Sequence, residues 1–210
     1  KEAYPNKKSG VFSTWLDNRT KLVGDGLAQT NYLQVDYHRD GYELDTVQFP
    51  HDKKAWYIHL IDEKVVAEAS KVIKDSAPDM SWVYLEYTDD MGHKYGKSPE
   101  LDTAISMLDK QIGSIMQAVN YREKNFNEEW LVIITTDHGR DALTGKDHGG
   151  QSDAERNTWL VMNHRPNHHA FENRTAIVDI FPTIATFLNI KLSKSVAESL
   201  EGLSLLDPKF

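Results

Sequence analysis

Short apolar runs alternate with helical periods along the chain, and that alternation predicts an α/β protein. Val11-Phe12-Ser13-Thr14-Trp15 predicts a first strand. From residue 16 to 61, Gly24, Gly26, Gly41 and Pro50 break every period, so this stretch is expected to be loop, with a short strand over Asn31–Val35. Asp62 is expected to cap a helix running to about Ser76. Val65, Val66, Ala69, Val72 and Ile73 recur there with helical spacing, and Ala77-Pro78-Asp79 stops them. Trp82–Thr88 predicts the next strand, followed by a polar, glycine-bearing loop.

Ser98-Pro99-Glu100 then joins a capping serine, a proline in the first turn and an acid beside the positive end of the helix dipole. Leu101, Ala104, Ile105, Leu108, Ile112, Ile115, Met116 and Val119 continue that helix as one apolar stripe. Trp130–Ile134 is an unbroken apolar run ending in Thr135-Thr136, the pattern of a strand buried on both faces of a parallel sheet. Trp159–Met162 predicts a further strand and Ile177–Leu188 a further helix, with Pro182 tolerated in its first turn. Trp82, Trp130 and Trp159 are expected in the core. The expected fold is a mostly parallel sheet sandwiched by helices, with ligands bound beyond the carboxyl ends of the strands.

Composition narrows the chemistry. The chain of 210 residues has 24 Lys+Arg against 32 Asp+Glu, a net charge of −8, which argues against gripping a nucleic-acid backbone. It has no cysteine, which removes disulfides, thiolate zinc sites and cysteine nucleophiles. No apolar run is long enough to predict a membrane span. Asn18-Arg19-Thr20 and Asn173-Arg174-Thr175 fit the glycosylation pattern, which matters only on a eukaryotic secretory route.

Two patches sit where predicted strands end, Asp89-Asp90-Met91-Gly92-His93 and Asp137-His138-Gly139, and a third, Asp147-His148-Gly149-Gly150, follows closely. A strand end fixes a carboxylate, and glycine lets the chain turn so that a nearby histidine faces the same point. Carboxylate oxygen with imidazole nitrogen suits zinc and accepts manganese. Asp-His-Gly alone is ordinarily a turn, and His164, His168 and His169 in their polar stretch are expected at the surface. Asp90 and Asp147 are expected as solvated neighbours, and Lys94 and Tyr95 as loop packing. The co-occurrence of the patches, each after a predicted strand, is what points to a metal site.

The stretch Tyr87-Thr88-Asp89-Asp90-Met91-Gly92-His93-Lys94-Tyr95-Gly96 resembles the Asp-x-x-Gly-His-x-x-Gly motif of nucleotide pyrophosphatase/phosphodiesterases, within the alkaline phosphatase superfamily. Thr135-Thr136-Asp137-His138-Gly139-Arg140 is similar to the superfamily's Asp-His-Gly motif, and His148 to its later histidine. The helix from Pro99 and the stretch Asp179-Ile180-Phe181-Pro182-Thr183-Ile184 extend the likeness. The resemblance implies an alkaline phosphatase-like α/β fold, with residues 1–210 as the C-terminal portion of a single catalytic domain whose opening strand is missing.

It also implies a metal-dependent hydrolase of phosphate esters, acting on phosphodiester or pyrophosphate bonds of a small substrate. Asp89, His93 and His148 would hold one divalent ion. Asp137 and His138 would hold a second, completed by an aspartate and a Thr or Ser nucleophile. Zinc is the expected metal, with manganese the alternative, and the two ions would clamp a phosphoryl group between them. Thr14, Thr20 and Thr30 lie in weak or loop contexts, and Val11–Trp15, the strand before Asp17 and Asp25, resembles a middle strand of the family fold rather than its opening one. The nucleophile is therefore expected outside this chain, which would bind metal without turnover. A phosphomonoesterase, phosphomutase or sulfatase of the same superfamily, or a non-catalytic metal-binding relative, are the alternatives. Relatives of this kind imply a periplasmic or secreted setting.

Overall fold

A computed structural model describes residues 4–172 and 175–208, with the side chain of residue 169 left aside. Asn173 and Arg174 of the second glycosylation pattern lie outside the described residues. The chain divides into two compact units, Lys1–Glu128 and Glu129–Phe210.

The first unit is built on a parallel three-stranded sheet of β1 (Ser9–Ser13), β2 (Tyr37–Arg39) and β3 (Met80–Tyr84), in the order β2-β1-β3. Gly10 pairs with Tyr37 on one side of β1 and with Ser81 on the other. The predicted first strand is therefore the central one. No strand forms at Asn31–Val35: Asn31 and Tyr32 both take positive φ, which breaks an extended run, and the strand comes later, at β2. The helix α1 (Trp56–Ser76) carries the chain from β2 to β3. Its Ile61, Val65, Ala69 and Val72 close over Phe12 and Phe49 to make the main core.

Two helices follow β3, a short one and a long one. The predicted strand Trp82–Thr88 stops at Tyr84, and the helix α2 (Tyr87–Tyr95) takes over its last two residues and the expected loop, while α3 (Pro99–Phe126) begins as the sequence predicts. The Ser98 hydroxyl accepts the Leu101 amide at 3.2 Å, with Pro99 at the first helical position. Ala55, Met91 and Ala104 form a second small core joining the start of α1 to α2 and α3.

Asp62 is not the cap of α1. The helix starts six residues earlier, where the Asp52 carboxylate accepts the Lys54 and Tyr57 amides at 2.8 and 3.0 Å. Asp62 lies inside α1 and is buried. Its Oδ1 accepts the Thr14 hydroxyl at 2.5 Å and the Glu86 amide at 3.1 Å, and its Oδ2 accepts the Tyr87 amide at 2.9 Å. Burial outweighs these three bonds and pushes the carboxyl up to about 7. The folded protein therefore holds a proton that the unfolded chain releases near pH 4. The stability from this proton is full below about pH 4 and is lost as pH rises through 7, a change on the order of 4 kcal/mol. Urea unfolding of wild type and Asp62→Asn at pH 5 and pH 8 checks this: the slope with pH is expected to flatten in the variant.

In the second unit, β4 (Ile133–Thr135) pairs antiparallel with β5 (Leu160–Met162), Ile134 lying opposite Val161. The expectation of a long strand, buried on both faces of a parallel sheet, fails here. Asn163 takes over before β4: its Oδ1 accepts the Val132 amide and its Nδ2 donates to the Trp130 carbonyl, both at 2.8 Å. Thr135 is exposed, and Trp159, expected in the core, is 53% exposed. Trp82 and Trp130 are half-buried.

Short helices α4 (Asp153–Arg156) and α5 (His169–Glu172) precede a 3₁₀ turn over Ile177–Asp179 and the helix α6 (Ile180–Phe187). Buried Asp179 accepts the Ala176 amide from one side and the Leu203 amide from the other, each at 2.8 Å. The Thr183 hydroxyl donates to the Asp179 carbonyl at 2.6 Å and accepts the Leu205 amide at 2.9 Å, which ties the tail onto α6. The last helix is α7 (Lys194–Ser199). Among the described residues, no helix is long and apolar enough to cross a membrane.

Candidate metal centre

In the first unit, α2 decides how the donors stand. Asp89 and His93 are one helical turn apart, so both lie on one face, with Asp89 Oδ2 3.2 Å from His93 Nε2. Two donors bonded to one tetrahedral zinc at about 2.0–2.2 Å stand roughly 3.3–3.6 Å apart. The pair as folded thus has nearly the spacing a shared ion requires, and its chemistry, one carboxylate and one imidazole, fits zinc. Gly96 ends the helix at φ 63°, a conformation that favours glycine, and its amide donates to the Gly92 carbonyl at 2.7 Å. Asp90, expected as solvated surface, is half-buried, and desolvation raises its pKa while Lys94 pulls it down. Lys94 donates to the Lys53 carbonyl, which anchors it in packing, as expected.

In the second unit, Asp137 and His138 follow β4 directly, and Asp137 Oδ1 stands 3.6 Å from His138 Nε2. The His148 ring stacks on that of His138, centroids 3.7 Å apart at 15°. His138 thus stands beside Asp137 on one side and His148 on the other. Gly139 does a different job from the one its motif suggests. Its φ is not positive; instead the backbone of α4 approaches it, and an added Cβ would lie 2.0 Å from the Ala154 carbonyl oxygen and 2.7 Å from that of Asn157. The Gly139 amide donates to the Glu155 carbonyl at 2.7 Å. Gly139→Ala is expected to cost about 1–3 kcal/mol in urea unfolding and to separate the His138 and His148 rings. Wild-type stability would contradict the close approach.

Asp141 escaped the sequence reading, although an aspartate ahead of Leu-Thr-Gly is a turn signal. Its carboxylate accepts the amides of Leu143, Thr144, Lys146 and Asp147 and the Thr144 hydroxyl, at 2.7–3.1 Å. These bonds, the Thr144 amide foremost, hold the carboxyl well below the usual carboxylate range. They close the loop that delivers His148. Asp147 itself is exposed, as expected of a neighbour.

The threonines set aside on sequence are also committed elsewhere. The Thr14 hydroxyl faces Asp62, Thr20 donates to the Leu16 carbonyl at 3.2 Å, and Thr30 to the Gly24 carbonyl at 2.5 Å. Asp17 pairs with Lys21 at 2.6 Å and Asp25 with Arg19 at 2.5 Å. Asn18 of the first glycosylation pattern is buried, its Nδ2 donating to Ser13 Oγ at 3.0 Å, so the folded chain does not present it.

The family model described as type I phosphodiesterase / nucleotide pyrophosphatase matches residues 4–202. Venom phosphodiesterase 2 of Crotalus adamanteus is 32% identical over 72 residues, 34% of this chain and 9% of that protein. GPI ethanolamine phosphate transferase 2 of Schizosaccharomyces pombe is 27% identical over 122 residues, 50% of this chain and 16% of that protein. The solved structure of murine ectonucleotide pyrophosphatase / phosphodiesterase 5 with AMP is 20% identical, with a TM-score of 0.42, over 67% of this chain and 32% of that one. The chain thus spans a small part of the length of the relatives it matches.

Proposed function

The chain belongs to the type I phosphodiesterase / nucleotide pyrophosphatase family, and on that footing we propose that it forms part of a metal-dependent hydrolase of phosphodiester or pyrophosphate bonds in small substrates. The observation that carries the reading is the Asp89–His93 pair, two chemically suitable donors on one helix face at 3.2 Å. Asp89, His93 and His148 are assigned to one divalent ion, and Asp137 and His138 to a second. Zinc is the preferred metal and manganese the alternative. Such ions supply Lewis acidity and neutralise charge on a phosphoryl group. The chain's own residues hold the donors: α2 aligns Asp89 with His93, the Asp141 loop carries His148, and Gly139 lets α4 close behind His138.

The attacking hydroxyl is assigned to a Thr or Ser outside these 210 residues, in keeping with the prior engagements of Thr14, Thr20 and Thr30. A periplasmic or secreted setting belongs to the same reading. Elemental analysis after zinc reconstitution, with rates on bis(4-nitrophenyl) phosphate and 4-nitrophenyl phosphate, tests it. The expected outcome is bound zinc and no turnover by the 210-residue chain. Hydrolysis by this chain would move the nucleophile into it, and failure to hold zinc would remove the metal role.

A second reading rests on the longer aligned stretch shared with the fission-yeast relative, whose name describes transfer of ethanolamine phosphate. There the phosphoryl group would pass to an alcohol rather than to water. Product analysis on the longer protein, with an added alcohol acceptor, separates the two.

A further inference from the structure

Asp62 has no place in the ligand set, yet it is the buried carboxylate nearest in bonding to the helix that carries Asp89 and His93. A helix begins with amides that have no partner within it. In α2 the first of these belong to Glu86 and Tyr87, and both are taken by Asp62, from a different helix. The residue before α2 supplies no side-chain cap of its own. Asp62 is in turn fixed by Thr14, whose hydroxyl lies 2.5 Å from it and whose amide donates to the Tyr84 carbonyl at 3.2 Å. Asp62 thus ties together the end of β1, the end of β3 and the start of α2. Aromatic packing completes the socket: Tyr87 meets the His59 ring at 5.2 Å and the Trp56 ring at 6.0 Å, both residues of α1.

We infer that Asp62 is a positioning residue for the Asp89–His93 pair: by capping the N-terminus of α2 from α1, it fixes the height and rotation of the helix on which both donors ride. The inference rests on the metal-binding reading of that pair. A carboxyl group suits the position because its two oxygens reach two successive amides, Oδ1 that of Glu86 and Oδ2 that of Tyr87. An asparagine would keep Oδ1 for Thr14 and Glu86 but would set an amide nitrogen against the Tyr87 N–H, so Asp62→Asn removes one cap bond while preserving shape.

The test uses the whole 210-residue chain, cobalt(II) as the metal probe, and amide hydrogen exchange on the metal-free protein. In wild type the Glu86 and Tyr87 amides are expected to exchange much more slowly than the Glu100 amide in the first turn of α3. In Asp62→Asn, with unchanged far-ultraviolet circular dichroism, Tyr87 exchange is expected to speed up about tenfold or more. Cobalt affinity is expected to fall about tenfold, with an altered visible band. Fast exchange at Glu86 and Tyr87 in wild type would overturn the inference without need of a variant that folds. So would an Asp62→Asn protein with wild-type exchange and wild-type cobalt affinity. If wild type takes up no cobalt while its Tyr87 amide is protected, the metal reading of the pair fails and Asp62 is left as a helix cap alone.

Discussion

Replacing His93 by alanine is expected to lower the protein's affinity for zinc by roughly a hundredfold or more, beyond the loss expected from a merely supporting neighbour. The imidazole sits on the last turn of α2 with its side chain 44% exposed, so its removal leaves little cavity and the helix keeps its cap at the other end. Circular dichroism and thermal midpoint should therefore match wild type while bound zinc, measured by elemental analysis after dialysis, drops. His148→Ala is expected to behave in the same way. His164→Ala serves as the control, since that ring pairs with Glu129 at 3.1 Å and belongs to no proposed donor set. Unchanged zinc in His93→Ala would strike His93 from the ligands, and equal loss in the control would mean general weakening rather than a specific site.

The second large effect lies in the core. Phe12→Ala is expected to destabilise the protein by about 3–5 kcal/mol, read as a lowered urea midpoint at unchanged slope. Phe12 is fully buried on the central strand and packs with Phe49, Ile61, Val65, Ala69 and Val72. Truncation removes its apolar area from the core and leaves a cavity that a strand paired on both sides cannot collapse to fill. A loss below about 1 kcal/mol would mean that the sheet does not depend on this contact. The same variant should weaken zinc binding less than His93→Ala, because it acts on the scaffold and not on a donor.

Much of this protein was legible in local spacing. The start of α3 follows from Ser98-Pro99-Glu100, since capping acts within one turn. The central strand follows from Val11 and Phe12, and the candidate donors from motifs a few positions long. Asp89 and His93 stand out through their place after a predicted strand and the family motif they resemble, although the helix that sets them on one face does not, because Gly92 and the run of polar residues imitate a loop. The beginning of α1 was hidden for a similar reason: Asp52 caps it from across a turn, and Trp56 to Ile61 carry no clean period.

Local pattern therefore singles out the candidate donors and roughly where the regular elements lie, because propensity, capping and periodicity act among near neighbours. Distant partners settled the rest. Asp62 became a buried cap for α2 because β1 and β3 end beside it. The run before Thr135 yielded a short antiparallel strand because Asn163 claims its early backbone groups. Gly139 is required by the close pass of α4 rather than by its own torsion angles. Pairing and burial depend on what the folded chain brings alongside, and no interval within the sequence encodes that.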